Sequence, residues 1–158
     1  MESQSSAIFA VKTATIQYNS FAKSKLTELA NKIVLDEIHN TMRKKNFSQK
    51  IIDNTYVESV DVTTGEITIV SDYESEDGFS VSEAREEGTA DHKIEPVNYN
   101  VLSWIENGVR RFSKGHWVKG LPEEKIIEKT IARKSKALQK EWEKEQDKYF
   151  ERMIYGSS

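Results

Sequence analysis

The chain contains no cysteine, which excludes a disulfide framework, a zinc–thiolate centre and a thiol nucleophile. Its seven glycines and two prolines are scattered singly at turn positions. They form no phosphate-cradling loop, dinucleotide fingerprint or nucleophile elbow. No apolar run approaches the roughly 20 residues that cross a bilayer, so no membrane partner is expected. The opening MESQSSAIFAVKTATIQYN has an acid at Glu2 and no basic segment, unlike a signal peptide. Its Ser, Gln and Thr content reads as a flexible N-terminal arm over residues 1–19. The net charge of −3 gives no global attraction to nucleic acid or anionic lipid.

What is present is a polar but foldable composition. The 158 residues are 37% apolar and 31% charged, enough for one core and too few for two comfortable ones. Residues 20–158 are read as a single α+β domain. Ala22, Leu26, Leu29, Ala30, Ile33, Val34, Ile38 and Met42 recur at three- and four-residue steps, which predicts a helix over 20–44 with one apolar stripe and a cationic end at Lys44-Lys45. Two β-rich runs flank Thr63-Thr64-Gly65 and predict a hairpin over 55–73. SVSEAREE reads as a short helical turn capped by Ser80 or Ser82 and ended by Gly88.

Further strand signals flank Asn107-Gly108, with Val101, Trp104 and Ile105 before it and Val109, Phe112 and Trp117 after it. They predict a second hairpin within 92–118, completing a small antiparallel sheet. Pro122, Glu123 and Glu124 suit a helix start, and Ile127, Ile131, Leu138, Trp142, Tyr149 and Met153 mark one face of a helix over 122–155. Such a helix is about 50 Å long at 1.5 Å per residue, whereas a domain of this size is roughly 40 Å across. The expected place for the overhang is a neighbouring subunit.

Residues 86–96, EEGTADHKIEP, gather Glu86, Glu87, Asp91, His92 and Glu95. A stable metal site takes three or four converging ligands. This stretch has one histidine, and His39 and His116 sit elsewhere without matching spacing, so neither metal nor other cofactor is expected. Glu86 or Glu87 with His92 offers acid/base groups for a small hydrolase. With 26 acidic residues in the chain such pairs arise by chance, and no catalytic residue is assigned.

The stretch NGVRRFSKGHWVKGLP carries Arg110, Arg111, Lys114 and Lys119 with Phe112 and Trp117 interleaved and no acid. Basic strands with aromatics can stack bases. The plainer expectation is that alternation turns Val109, Phe112 and Trp117 inward and leaves the cations in water. Residues 72–95 hold nine acids against Arg85 and Lys93. Adjacent patches of opposite sign suit head-to-tail contact between identical subunits. Lys136, Lys140, Lys144, Lys148 and Arg152 recur every four residues, a row that winds around a helix and pairs locally with its acids.

Taken together, Glu87-Gly88-Thr89, His92-Lys93-Ile94-Glu95-Pro96, Leu102-Ser103-Trp104 and Ser113-Lys114-Gly115-His116 through Gly120 resemble the small tail-completion family of tailed double-stranded DNA viruses, the head–tail joining or minor tail components. The likeness covers residues 81–131, about a third of the chain, at motif level and most of the chain by element order. It departs where His116 is followed by Trp117-Val118-Lys119-Gly120 with no Pro-Gly, and where the ending is reduced to Leu121-Pro122.

The resemblance implies a non-enzymatic virion protein of the neck. It would form a homo-oligomeric ring, hexamer or dodecamer, between a head-closure or connector protein and the tail tube or its terminator. It would assemble in the host cytoplasm, and DNA would pass unbound through the lumen, with an acidic segment near that lumen to prevent sticking. The expected interface residues are Arg110, Arg111, Lys114, His116 and Trp117 on the basic side, Glu86, Glu87 and His92 on the acidic side, and Trp142 and Tyr149 on the last helix. The competing reading is a nucleic-acid-binding accessory protein acting through the basic, aromatic segment 109–119.

Overall fold

The computed structural model describes residues 4–96 and 102–156, with backbone alone for 4–13 and for Ile94, Leu102, Trp104 and His116. The fold is α+β. Helix α1 (Gln4–Leu29), a π-helical segment (Ala30–Leu35) and α2 (Asp36–Lys44) follow one another without a break. The apolar stripe expected over 20–44 is there: Ala22, Leu26, Leu29, Ala30, Val34, Ile38 and Met42 are buried. The π-segment, where the Asp36 N–H donates to the Asn31 carbonyl, is a wide turn of the kind that departs from the regular helical repeat. It brings both Val34 and Leu35 into the core.

The expected N-terminal arm is a correction. Residues 4–19 continue the helix, and only residues 1–3 of that arm lie outside the described residues. Their weak amphipathic pattern favours a helix little by itself; they extend a helix that is anchored from Tyr18 onward. Helix α5 (Ile126–Tyr155) runs back along α1 in antiparallel sense. Arg133 pairs with Glu37 at 2.9 Å and Lys25 with Glu145 at 3.8 Å, and the Gln146 amide donates to the Tyr18 hydroxyl at 2.7 Å. Phe21 stacks on Tyr149 with ring centroids 4.3 Å apart and on Trp142 at 6.0 Å, while Tyr18 stacks on Phe150 at 5.6 Å. The helix expected to reach a neighbouring subunit thus lies on this chain's own N-terminal helix.

A short helix, α3 (Gln49–Asp53), follows, capped by the Ser48 hydroxyl accepting from the Ile51 N–H at 3.4 Å. Nothing in the periodicity marks so short an element, yet Phe47, Ile51 and Ile52 are core residues with Val34, Ile38, Met42 and Ile126. Strands β1 (Thr55–Asp61) and β2 (Glu66–Ser71) form the expected first hairpin, with an irregularity between Val57 and Ser59. The Asp61 carboxylate accepts from the Thr63 and Thr64 N–H groups at 2.8 and 3.2 Å, which holds its carboxyl below the usual range. Helix α4 (Val81–Glu87) starts at Ser80 and ends at Gly88, as its caps predict.

The remaining strands are β3 (His92–Ile94), β4 (Leu102–Glu106), β5 (Val109–Ser113) and β6 (His116–Val118). β4 and β5 are adjacent through the Asn107-Gly108 turn, and β3 pairs with β6 outside them. Among the described residues the antiparallel structure is therefore three separate two-stranded pieces, β1–β2, β3–β6 and β4–β5. Val101, expected on the fourth strand, lies outside the described residues.

The start of α5 is a second correction. Pro122, Glu123 and Glu124 precede the helix, and Lys125 sits in the left-handed region at φ 46° before the first helical residue, Ile126. The reason is tertiary. The Glu86 carbonyl accepts from the Glu124 and Lys125 N–H groups at 3.1 and 2.9 Å, which fixes this segment in a non-helical path until Ile126.

Candidate functional site

The nested hairpin β3–β6 leaves the body as a ribbon, and its root is a clasp made from the first resemblance motif. The Thr89 N–H donates to the Leu121 carbonyl at 3.0 Å, and the Leu121 N–H donates back to the Thr89 hydroxyl at 2.9 Å. The Gly120 N–H donates to the Asp91 carboxylate at 2.7 Å. Two glycines allow this approach. A Cβ on Gly120 would stand 1.7 Å from the Thr89 carbonyl oxygen, and one on Gly88, whose φ is +76°, would stand 2.7 Å from that of Leu121. The Gly-Thr of residues 88–89 is thus a packing device.

Glu86 does related work on the other side of the clasp. Its side chain is buried, and one carboxylate oxygen, Oε2, accepts from the Ile127 N–H at 3.0 Å. It is the N-terminal cap of α5, delivered from 41 residues away, and its negative charge faces the positive end of the helix dipole. The other oxygen, Oε1, is buried without a partner. Burial raises the carboxyl's pKa, the Ile127 and Ile126 N–H groups pull it down, and Glu87 and Glu124 add to the rise. Glu87 is exposed on the next position.

His92 is exposed on β3, its Nδ1 3.2 Å from the Ala90 carbonyl. No hydrogen bond joins it to Glu86 or Glu87, so the structure does not bring the acid/base trio together. Among the described residues no three histidine, aspartate or glutamate side chains converge as a metal site. No helix among them is long and apolar enough to cross a membrane.

The ribbon departs from expectation in its side chains. Val109, Phe112 and Trp117 do not turn inward. Ile105 is 68% exposed, Phe112 62% and Trp117 72%, and Val109 is exposed too. Among the described residues no helix or third strand covers either face of the β4–β5 pair, so alternation has no inside to select. The cross-strand register puts Ile105 beside Arg110 and Ser103 beside Phe112 on one face, and Val109 beside Glu106 on the other. Arg111 meets Glu106 at 3.4 Å. Arg110, Lys114 and Lys119 have no acidic partner among the described residues. His116 pairs with Ile94 by backbone, and its side chain lies outside the description.

The acidic segment is the reverse image. Glu74, Glu76, Asp77 and Glu83 are exposed without a cationic partner among the described residues, and Glu87 is exposed within the influence of Lys125. Asp72 accepts from the Tyr56 hydroxyl at 2.9 Å, and Lys93 pairs with Glu95. Between α4 and the first turns of α5 runs an open groove of about 580 Å³. Ile127, Ile131 and Ala132 supply its apolar wall, and Glu83, Glu87 and Glu128 lie along it with Lys125. Sequence reading did not find this groove, because its two walls are some forty residues apart in the chain.

Of the expected interface residues, the structure places Arg110, Arg111, Lys114 and Trp117 together on the ribbon and Glu87 at the groove. It assigns Glu86 to capping, and it stacks Trp142 and Tyr149 within the chain on Phe21. No protein-family model matches this chain, and no curated protein or solved structure does.

Proposed function

We propose that this protein is a non-enzymatic assembly subunit and, on the resemblance of residues 81–131, a ring component of the neck of a tailed double-stranded DNA virus. Its ring, a hexamer or dodecamer, joins the head-side connector to the tail tube and lets DNA pass. The protein belongs to the virion and assembles in the host cytoplasm. The observation that carries the reading is the bare ribbon. A lone two-stranded hairpin is marginal in water, and open edges with exposed apolar residues invite pairing. A chain that displays both on a clasped root is built to be covered by another protein.

The test is to concentrate the purified protein, follow its mass by sedimentation, and view the product by negative-stain electron microscopy. Closed rings with an axial hole are the expected result. A monomer up to the solubility limit refutes the reading. Portal, head or tape-measure genes beside this one are the independent check.

A second reading, nucleic-acid binding by the ribbon, gains from the same exposure, since Phe112 and Trp117 stand free beside Arg110, Lys114 and Lys119. It requires duplex or single-stranded DNA to bind the ribbon with a strong salt dependence that Arg110→Glu with Arg111→Glu abolishes.

A further inference from the structure

We propose that the partner of the ribbon is the α4–α5 groove of a second copy of this chain, so that subunits join head to tail. The inference rests on the assembly reading above and names its contact. The two surfaces are complementary in chemistry. The ribbon offers exposed aromatic anchors, Phe112 and Trp117, in a stretch whose Arg110, Lys114 and Lys119 have no acidic partner among the described residues. The groove offers an apolar wall, Ile127, Ile131 and Ala132, with Glu83, Glu87 and Glu128 along it against one cation, Lys125, which lies 3.7 Å from Glu128 and leaves the groove net acidic.

Exposed apolar residues on both sides, flanked by charges of opposite sign, have the form of an interface core with a polar rim. Aromatic residues and arginine are the side chains that most often carry interface energy, and a buried aromatic ring removes roughly 150–250 Å² from water. A groove walled by acids repels a phosphate backbone, and net charge −3 offers nucleic acid no general attraction. Protein is therefore the occupant the observations favour.

The two surfaces differ from one another, which makes the contact heterologous. Each copy engages one neighbour with its ribbon and the next with its groove, and such a contact closes into a ring or runs on as a filament. The ribbon root fixes the geometry. Thr89 and Asp91 bind it to Leu121 and Gly120 across the close approach that Gly88 permits, and Glu86 binds the same corner to the start of α5. Ribbon and groove are consequently held on one rigid corner of each subunit, which gives the repeated contact a single angle.

Two variants test this in one experiment. The first, Phe112→Asp with Trp117→Asp, removes the ribbon anchors. The second, Ile131→Lys with Glu128→Lys, spoils the groove. All four positions are exposed, and circular dichroism checks that each variant keeps the fold. The wild type assembles beyond a dimer. Each variant alone associates more than tenfold more weakly. An equal mixture of the two forms a dimer and nothing larger, because each pair retains one intact ribbon and one intact groove. If the wild type assembles and the variants do so equally well, or their mixture stays monomeric, the ribbon–groove contact is wrong while the assembly reading stands. If the wild type does not assemble, both fall. Salt-dependent binding of duplex DNA that Arg110→Glu with Arg111→Glu abolishes overturns the choice of partner.

Discussion

Replacing Gly120 by alanine isolates the clasp from everything else in the molecule. The added methyl would lie 1.7 Å from the Thr89 carbonyl oxygen and 2.6 Å from two backbone carbons, of Thr89 and Ala90. All three atoms are backbone, so no side chain can swing aside, and the two chains must separate by more than an ångström. That movement takes with it the Thr89–Leu121 backbone bond, the return bond to the Thr89 hydroxyl, and the Gly120–Asp91 bond. At a net value near 1 kcal/mol per hydrogen bond, the loss is about 3 kcal/mol. The core of α1, α2 and α3 is untouched, so the damage is local opening.

Hydrogen exchange reads this directly. The Thr89, Gly120 and Leu121 amides should lose about two orders of magnitude of protection, the equivalent of that energy at 1.4 kcal/mol per tenfold. The Ile38 and Met42 amides should stay protected. A Gly120→Ala protein with unchanged protection at Thr89 and Leu121 would refute the clasp. Gly65→Ala is the control: its φ is +74° and nothing lies within 4 Å of the added methyl. It should cost only the left-handed backbone penalty of about 1–2 kcal/mol.

Burial raises the Glu86 carboxyl, so in the window between the unfolded and folded values the native state holds the extra proton. Stability from this group is complete at low pH and falls as pH rises through the raised value. Glu86→Gln should remove that step from a plot of urea midpoint against pH. An identical profile in wild type and variant would show that the group does not titrate in this range. Phe21→Ala strips one member of the aromatic stack between α1 and α5. Because Phe21 is only half-buried, the loss should fall below the 3–5 kcal/mol of a fully buried phenylalanine, at about 2–3 kcal/mol, visible as a lower thermal midpoint and altered Trp142 fluorescence. Met42→Ala empties a site with no solvent exposure and should cost about 2–5 kcal/mol in urea unfolding. A value under 1 kcal/mol would mean that the core collapses around the gap.

Elements that depend on local pattern were legible in the sequence. The stripe from Ala22 to Met42 repeats at helical steps, the hairpin around Gly65 carries its turn residues, and Ser80 and Gly88 bracket α4. Elements decided by contact at long range were not. Residues 4–19 extend a helix whose Tyr18 and Phe21 pack on α5, α3 is only five residues long, and the start of α5 is set by Glu86 instead of Pro122. The same division runs through the candidate site. Arg110, Lys114 and Trp117 were visible as a basic, aromatic run, but their exposure depends on the absence of a covering layer. The groove is assembled from α4 and α5 and has no local signature.

The segment that looks most like an active site illustrates why motif chemistry needs geometry. Glu86, Gly88, Thr89 and Asp91 place carboxylates beside a histidine, yet each one's polar atoms or shape are spent on structure. Glu86 caps the start of α5, Gly88 permits a close approach, and Thr89 and Asp91 hold the opposite strand root. Thr89 meets its partner 32 positions later, so Glu-Gly-Thr and the Gly-Leu of residues 120–121 form one device split across the ribbon. The device fixes where the ribbon leaves the body and says nothing about what its tip touches. Chains that share Glu-Gly-Thr with a Gly-Leu after a comparable interval should therefore share the clasp. Their partners should differ with the exposed ribbon residues beyond the clasp, Phe112 and Trp117 in this chain, because those side chains take no part in the contacts that fix α5.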